Sequence, residues 1–249
     1  MSKKKTVLTE KSWQQKILPH LIILAASVLL FVIYFKPAVL DGKRIRQDDM
    51  IQYQGGNKEI ADFREKSGEE PLWTNGMFSG MPSYQISTLY PGNWFSTIDQ
   101  VLRFGIPYPV DLMFRIFAGF YFLLILLRVN PWFSGIGALS FSLCTYLFIV
   151  LEVGHNTKLN AISMIAPIIA GFIITYRGKY LLGGACIALF AALEINANHF
   201  QITYYLLFIL AAIVLSYLID SFREKQLRKF AMATGVAALA GLLAVGPNI

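Results

Sequence analysis

The chain has 249 residues, of which 55% are hydrophobic and only 15% charged, with a mean hydropathy of +0.53. Soluble domains carry about 25% charged residues, so this composition excludes a water-soluble fold and makes lipid the solvent for most of the surface. The net charge of +7 does not indicate nucleic acid, because Lys and Arg sit mainly in short clusters between apolar runs, where they set membrane topology.

Residues 1–16 (MSKKKTVLTEKSWQQK) form a basic tail, followed by an apolar stretch over 17–35. The pair resembles the first two regions of a signal peptide. The stretch is nevertheless long enough to span a bilayer, and the following FKPAVLDGK lacks a small-x-small cleavage site. It reads as an uncleaved first helix.

Residues 36–109 form a long loop containing Trp73, Phe78, Tyr84, Tyr90, Trp94 and Phe95 with Gly and Pro between them. A disordered linker is poor in aromatics. The loop is therefore expected to be ordered and to lie on the membrane surface, where Trp and Tyr favour the interface. Within it, STIDQVLRFGI suggests a short amphipathic helix in the interfacial plane.

Six more apolar segments follow, near 110–127, 132–151, 159–176, 181–195, 203–219 and 230–245. The predicted fold is thus all-α: a polytopic transmembrane helical bundle of about seven spans occupying residues 17–249, with a long ordered first outer loop carrying short interfacial helices. Cys144 and Cys186 lie in apolar runs without CxxC or metal-ligand spacing and read as small core residues.

Orientation follows from the short connections. With a cytoplasmic N-terminus, Lys3, Lys4, Lys5, Lys11, Lys16, Arg128, Arg177, Lys179, Arg223, Lys225, Arg228 and Lys229 fall on the inner side, and Lys158 alone falls in a short outer loop.

Three polar clusters then map to the outer face. They are Arg46-Gln47-Asp48-Asp49, Glu152-Val-Gly-His155-Asn156-Thr157-Lys158, and Glu194-Ile-Asn196-Ala-Asn198-His199-Phe-Gln201. Two of the three histidines are here, whereas the inner connections are plain Lys/Arg/Glu/Ser turns. Ionisable groups near headgroup depth are costly unless paired or hydrated, and mark a site. Ordinary loop polarity and helix capping are the plainer reading of any one cluster.

Asp48 and Asp49 suit general-base work or a divalent cation, or are a solvated turn. His155, Lys158 and His199 suit a phosphate group, with Glu152, Asn156, Asn198 and Gln201 as further substrate contacts. Two histidines near a carboxylate also suit a transition metal, but no i,i+4 His pair supports one. Asp111 and Arg115, at i,i+4, are expected to pair with each other as a structural ion pair, with a substrate contact as the alternative. No Walker loop, GxSxG or dinucleotide fingerprint is present, so an outward-facing enzyme would need a substrate carried by lipid.

The segments IRQDDMIQYQGGNKEI, LWTNGMFSGMPSYQ, GHNTKLNAISMIAPIIAG and NANHFQITYY resemble bacterial YfhO-like membrane proteins, which are similar to the integral-membrane glycosyltransferases of the C type. The resemblance runs from about residue 17 to the end. It implies a helical core with an acidic residue in the first outer loop, matching Asp48 or Asp49, and a sugar donor attached to polyprenyl phosphate. It further implies an acceptor that is an envelope glycan or glycolipid, and a multi-pass location in the bacterial cytoplasmic membrane. No clear DxD stands in the second outer loop, where the sequence is GHNTK; no cofactor is expected, and a divalent cation stays open. Relatives of this type are longer, so the chain is expected to be an N-terminal fragment. The reading is a membrane glycosyltransferase. Its alternatives are a transporter or flippase of lipid-linked or anionic solutes, and a non-catalytic envelope scaffold.

Overall fold

The computed structural model describes residues 13–89 and 92–248. Lys3, Lys4, Lys5, Lys11 and Tyr90 lie outside the described residues. The fold is almost wholly helical. A long apolar helix α1 (Trp13–Tyr34) runs into a single turn α2 (Lys36–Val39), and then a polar helix α3 (Asp48–Ser67). A two-residue hairpin, β1 (Trp73–Thr74) with β2 (Met81–Pro82), and a short helix α4 (Phe95–Val101) complete the long connection. The bundle continues with α5 (Val110–Leu126), α6 (Pro131–Ser142), α7 (Thr145–Val153), α8 (Asn156–Tyr176), α9 (Tyr180–Asn196), α10 (Phe200–Arg223) and α11 (Leu227–Val245).

The apolar segments of the sequence are helical, with one break at Leu143–Cys144, because backbone groups in lipid must be satisfied within the protein. The helices α1, α8, α10 and α11 are each long and apolar enough to cross a membrane, and α6 with α7 passes the same test as one span bent by 44°. Their outward faces stay apolar: Leu21, Leu29, Leu207 and Leu242 are all exposed. So much exposed apolar surface would be unfavourable in water, and with the long apolar helices it marks a membrane-embedded protein.

Helix α8 is central. It packs on α5, α7, α9, α10 and α11, and it is the only one of the four long apolar helices that is mostly buried. Close approach is set by glycine. A Cβ on Gly183 of α9 would lie 2.6 Å from the Thr175 backbone nitrogen and 2.9 Å from the Gly171 carbonyl oxygen of α8. On the other flank, a Cβ on Gly119 of α5 would lie 2.8 Å from the Ser163 carbonyl oxygen. One apolar core gathers Phe31, Phe117, Met113 and Leu147 between α1, α5 and α7, and another gathers Met164, Ile168, Leu193 and Leu206 around α8, α9 and α10.

This up-and-down order gives the bundle two chemically distinct ends. The start of α5, the α7–α8 and α9–α10 turns and the end of α11 share one end. There Asn93 donates to Asn196 and to Asn248. At the other end Arg177 donates to the Leu126 carbonyl, and Tyr176 stacks on Tyr217 with ring centroids 4.4 Å apart. The first is called the polar end below, the second the basic end.

Candidate functional site at the polar end

The site begins with how α3 is anchored. Gln47 stands at its N-cap in extended conformation and is buried. Its amide nitrogen donates to the Leu151 carbonyl and to the Tyr108 hydroxyl, both at 2.6 Å. Tyr108 in turn donates to Asn156 Oδ1 at 3.0 Å. Gly154 completes the fit. Its φ of +102° is costly for other residues, and a Cβ there would meet Gln47 Cβ at 3.0 Å. The first turn of α3 is thereby seated on the α7–α8 turn.

The consequence is chemical. Asp49 Oδ2 lies 3.2 Å from His155 Nδ1, a pairing of two groups that are each about half exposed. Asp48 turns the other way and pairs with Arg46 at 2.9 Å. Both carboxylates sit in the first helical turn, where the helix dipole favours negative charge. Of the two adjacent acids, Asp49 is the one aimed at the rest of the cluster.

His155 and His199 occupy equivalent places, the N-cap positions of α8 and α10, yet neither side chain caps its helix. Helix capping therefore does not account for them. Burial holds the His199 imidazole below its ordinary pKa, and the nearby Lys158 and His155 push it in the same direction. His199 Nδ1 is buried without a hydrogen-bond partner. Lys158 is half-buried, its ammonium 5.3 Å from the centre of the Tyr146 ring. A carboxylate–imidazole pair thus stands beside a cation and a second imidazole biased to the neutral form.

The other predicted contacts are less engaged. Asn156 belongs to the Gln47–Tyr108 network that positions α3. Asn198 is exposed at φ +54°, the left-handed turn that ends α9. Gln201 donates to Tyr205 on its own helix at 2.9 Å, and Glu152 is exposed. Among the described residues no group of three or more His, Cys, Asp or Glu side chains converges as a metal would require.

Asp111 and Arg115 do not form the expected ion pair with each other. Arg115 pairs with Asp99 at 2.5 Å and donates to Asn160 at 2.5 Å, while Asp111 pairs with Arg103 at 3.2 Å. Arg103 also holds Asp99 at 2.7 Å. The reason is α4 and the turn that follows it, which bring Asp99 and Arg103, four residues apart, to the start of α5. Asp99 thus takes the Arg115 guanidinium, and Arg103 takes the carboxylate of Asp111. Asp99, Arg103, Asn160 and Tyr108 are the members of these networks that no sequence motif marked, and Gln47 stood out only as part of the first polar cluster. The i,i+4 spacing of Asp99 and Arg103 was their one visible signal.

A second device keeps the long connection in shape. Glu59 of α3 accepts from the Thr74 hydroxyl at 2.5 Å and from the Asn75 and Gly76 amides at 2.8 Å each. The Thr74 hydrogen bond, with those of the amides, holds the Glu59 carboxyl below its ordinary value against the opposing effect of desolvation. Gly56 leaves room for Met77, whose sulfur would lie 2.5 Å from an added Cβ.

The fold and this end together define a helical membrane protein with a polar site at one mouth of its bundle. Compared with known proteins, the chain matches no family model, no curated protein and no solved structure.

Proposed function

We propose that the chain is a membrane glycosyltransferase that moves a sugar from a polyprenyl-phosphate carrier to a hydroxyl of an envelope glycan or glycolipid. The resemblance to YfhO-like proteins supplies the class. The observation that carries it is the Asp49–His155 pair at 3.2 Å with Lys158 and His199 beside it. In this reading seven spans, α1, α5, α6 with α7, α8, α9, α10 and α11, cross the bacterial cytoplasmic membrane from a cytoplasmic N-terminus. The polar end then faces outward.

The chemistry is a single displacement. His155 orients the Asp49 carboxylate, which takes the proton of the acceptor hydroxyl. The acceptor oxygen forms a bond to the anomeric carbon, and the bond from that carbon to the phosphate oxygen breaks. The electron pair leaves on the phosphate, whose charge Lys158 offsets. Neutral His199 is a hydrogen-bonding partner for a sugar hydroxyl.

The test is genetic and chemical together. Cells lacking the gene and cells re-expressing the full protein are compared by mass spectrometry of their envelope glycans. The expected result is one sugar that is lost and restored, with its polyprenyl-phosphate donor accumulating in the deletion. Unchanged glycans and donor pools in the deletion would overturn the proposal.

A further inference from the structure

The basic end carries a second place of interest, independent of the polar site. Helices α5 and α9 both pack on α8, and two cavities beside them share Phe122 and form the cleft described here. Toward the polar end the cleft is apolar, lined by Phe114, Phe122, Met164 and Phe190, with Arg115 at its upper edge. At the basic end it opens into a cavity of about 820 Å³, walled by Phe122, Ile125, Leu182 and Cys186. Phe122 belongs to both stretches.

Three cations rim the lower cavity: Arg128, Arg177 and Lys179. They are exposed, and none of the lining residues is acidic. Among the described residues none of the three forms an ion pair. Arg177 commits one nitrogen to the Leu126 carbonyl at 2.8 Å and keeps the rest of its fork free for an anion. Local geometry brings the charges together. Arg128 has φ +65° just past the end of α5, and Lys179 is the N-cap of α9.

We propose that this cleft binds an anionic phospholipid of the leaflet at the basic end, with its phosphate among Arg128, Arg177 and Lys179 and one acyl chain against Phe122, Ile125, Leu182 and Cys186. Guanidinium groups bind phosphate through paired N–H donors. Basic pockets between transmembrane helices suit phospholipid headgroups. A free phosphate would satisfy the cations but leave the apolar wall empty. A zwitterionic lipid would fill the wall but bring its own cation to the rim. The cavity lies within the roughly 300–1,000 Å³ of sites that enclose a small ligand.

Native mass spectrometry of the purified full chain in detergent tests this with phosphatidylglycerol and phosphatidylcholine of identical acyl chains. The wild-type protein is expected to retain phosphatidylglycerol on the order of tenfold more than phosphatidylcholine. Arg128→Gln with Lys179→Gln, which leaves the Arg177 bond to Leu126 intact, should erase that preference. Cys186→Trp should weaken both lipids by filling the wall while keeping the charges. Glycerol phosphate in millimolar excess should not displace the bound lipid. Equal retention of the two lipids, or an undiminished preference in the double variant, would overturn the proposal. So would displacement by glycerol phosphate, which would reduce the site to a phosphate site. A monodisperse elution profile for each variant excludes misfolding as the cause.

Discussion

Asp49 on α3 and His155 at the head of α8 stand 106 positions apart in the chain and meet at 3.2 Å, because Gln47 and Gly154 fit one turn into the other. Asp48, its immediate neighbour, points away to Arg46. The two acids are therefore inequivalent.

That inequivalence is testable. In the re-expressing cells, Asp49→Asn should lower glycan transfer by about 10²–10⁴, the usual cost of a missing general base. Asp48→Asn should leave transfer within a few fold. Protein levels in the membrane should match for both, since each residue is at least partly exposed. Full activity in Asp49→Asn would remove the catalytic assignment. Equal, severe losses with sensitivity to chelator would point to a metal instead.

Topology follows from the two ends. In a background with Cys144 and Cys186 replaced, Ser67→Cys at the end of α3 should react with a membrane-impermeant thiol reagent added to intact cells. Lys225→Cys, in the α10–α11 turn, should react only after the membrane is opened. Labelling of Lys225→Cys from outside would reverse the orientation.

The ionic network at the head of α5 should be stabilising only as a whole. Asp99→Asn leaves the buried Arg115 without its carboxylate and is expected to cost about 3–5 kcal/mol, read as a lowered melting temperature in detergent. Adding Arg115→Met should recover part of the loss, because no unpaired guanidinium then remains. A double variant less stable than Asp99→Asn would contradict this account.

The Glu59 clamp should respond to acid. Its folded pKa is depressed, so its contribution is present above the unfolded value of about 4.3 and disappears as pH falls through the folded value. Hydrogen exchange of residues 70–85 should be slower in the wild type than in Glu59→Gln near neutral pH. The difference should shrink below about pH 4. Identical exchange in the two proteins at pH 7 would show that the carboxylate does not hold the hairpin.

Glycine substitutions separate contact from propensity. Gly183→Ala places a methyl against the α8 backbone and should destabilise by at least about 1–3 kcal/mol. Gly241→Ala, in α11 with nothing within 4 Å of its Cβ, should be neutral or stabilising by about 0.5–1 kcal/mol. Matching effects at the two positions would refute the seam between α8 and α9.

Hydropathy made the apolar helices legible, since lipid enforces continuous helical hydrogen bonding on each run. Finer features were not, for physical reasons. The break at Leu143–Cys144 carries no Pro or Gly; it arises where Cys144 adopts extended geometry, φ −66° and ψ 139°. Helix α3 is mostly polar, with its few apolar residues not gathered on one face, and contains Gly55 and Gly56, so neither periodicity nor propensity signals it. Clamps distant in sequence, at Gln47 and Glu59, hold it in place. The three polar clusters were visible as unusual composition. Which member faces which depended on the tertiary fit at Gly154, and Asp111 and Arg115 found partners on α4 and the turn after it rather than on each other.

The glycine contacts bear finally on how anything enters or leaves the cleft. Gly119 seats α5 on α8 and Gly183 seats α9 on α8, each with main-chain atoms of α8 among its nearest neighbours. The walls cannot part without breaking those seams. A ligand of the proposed site is therefore expected to come and go without α5 or α9 separating from α8.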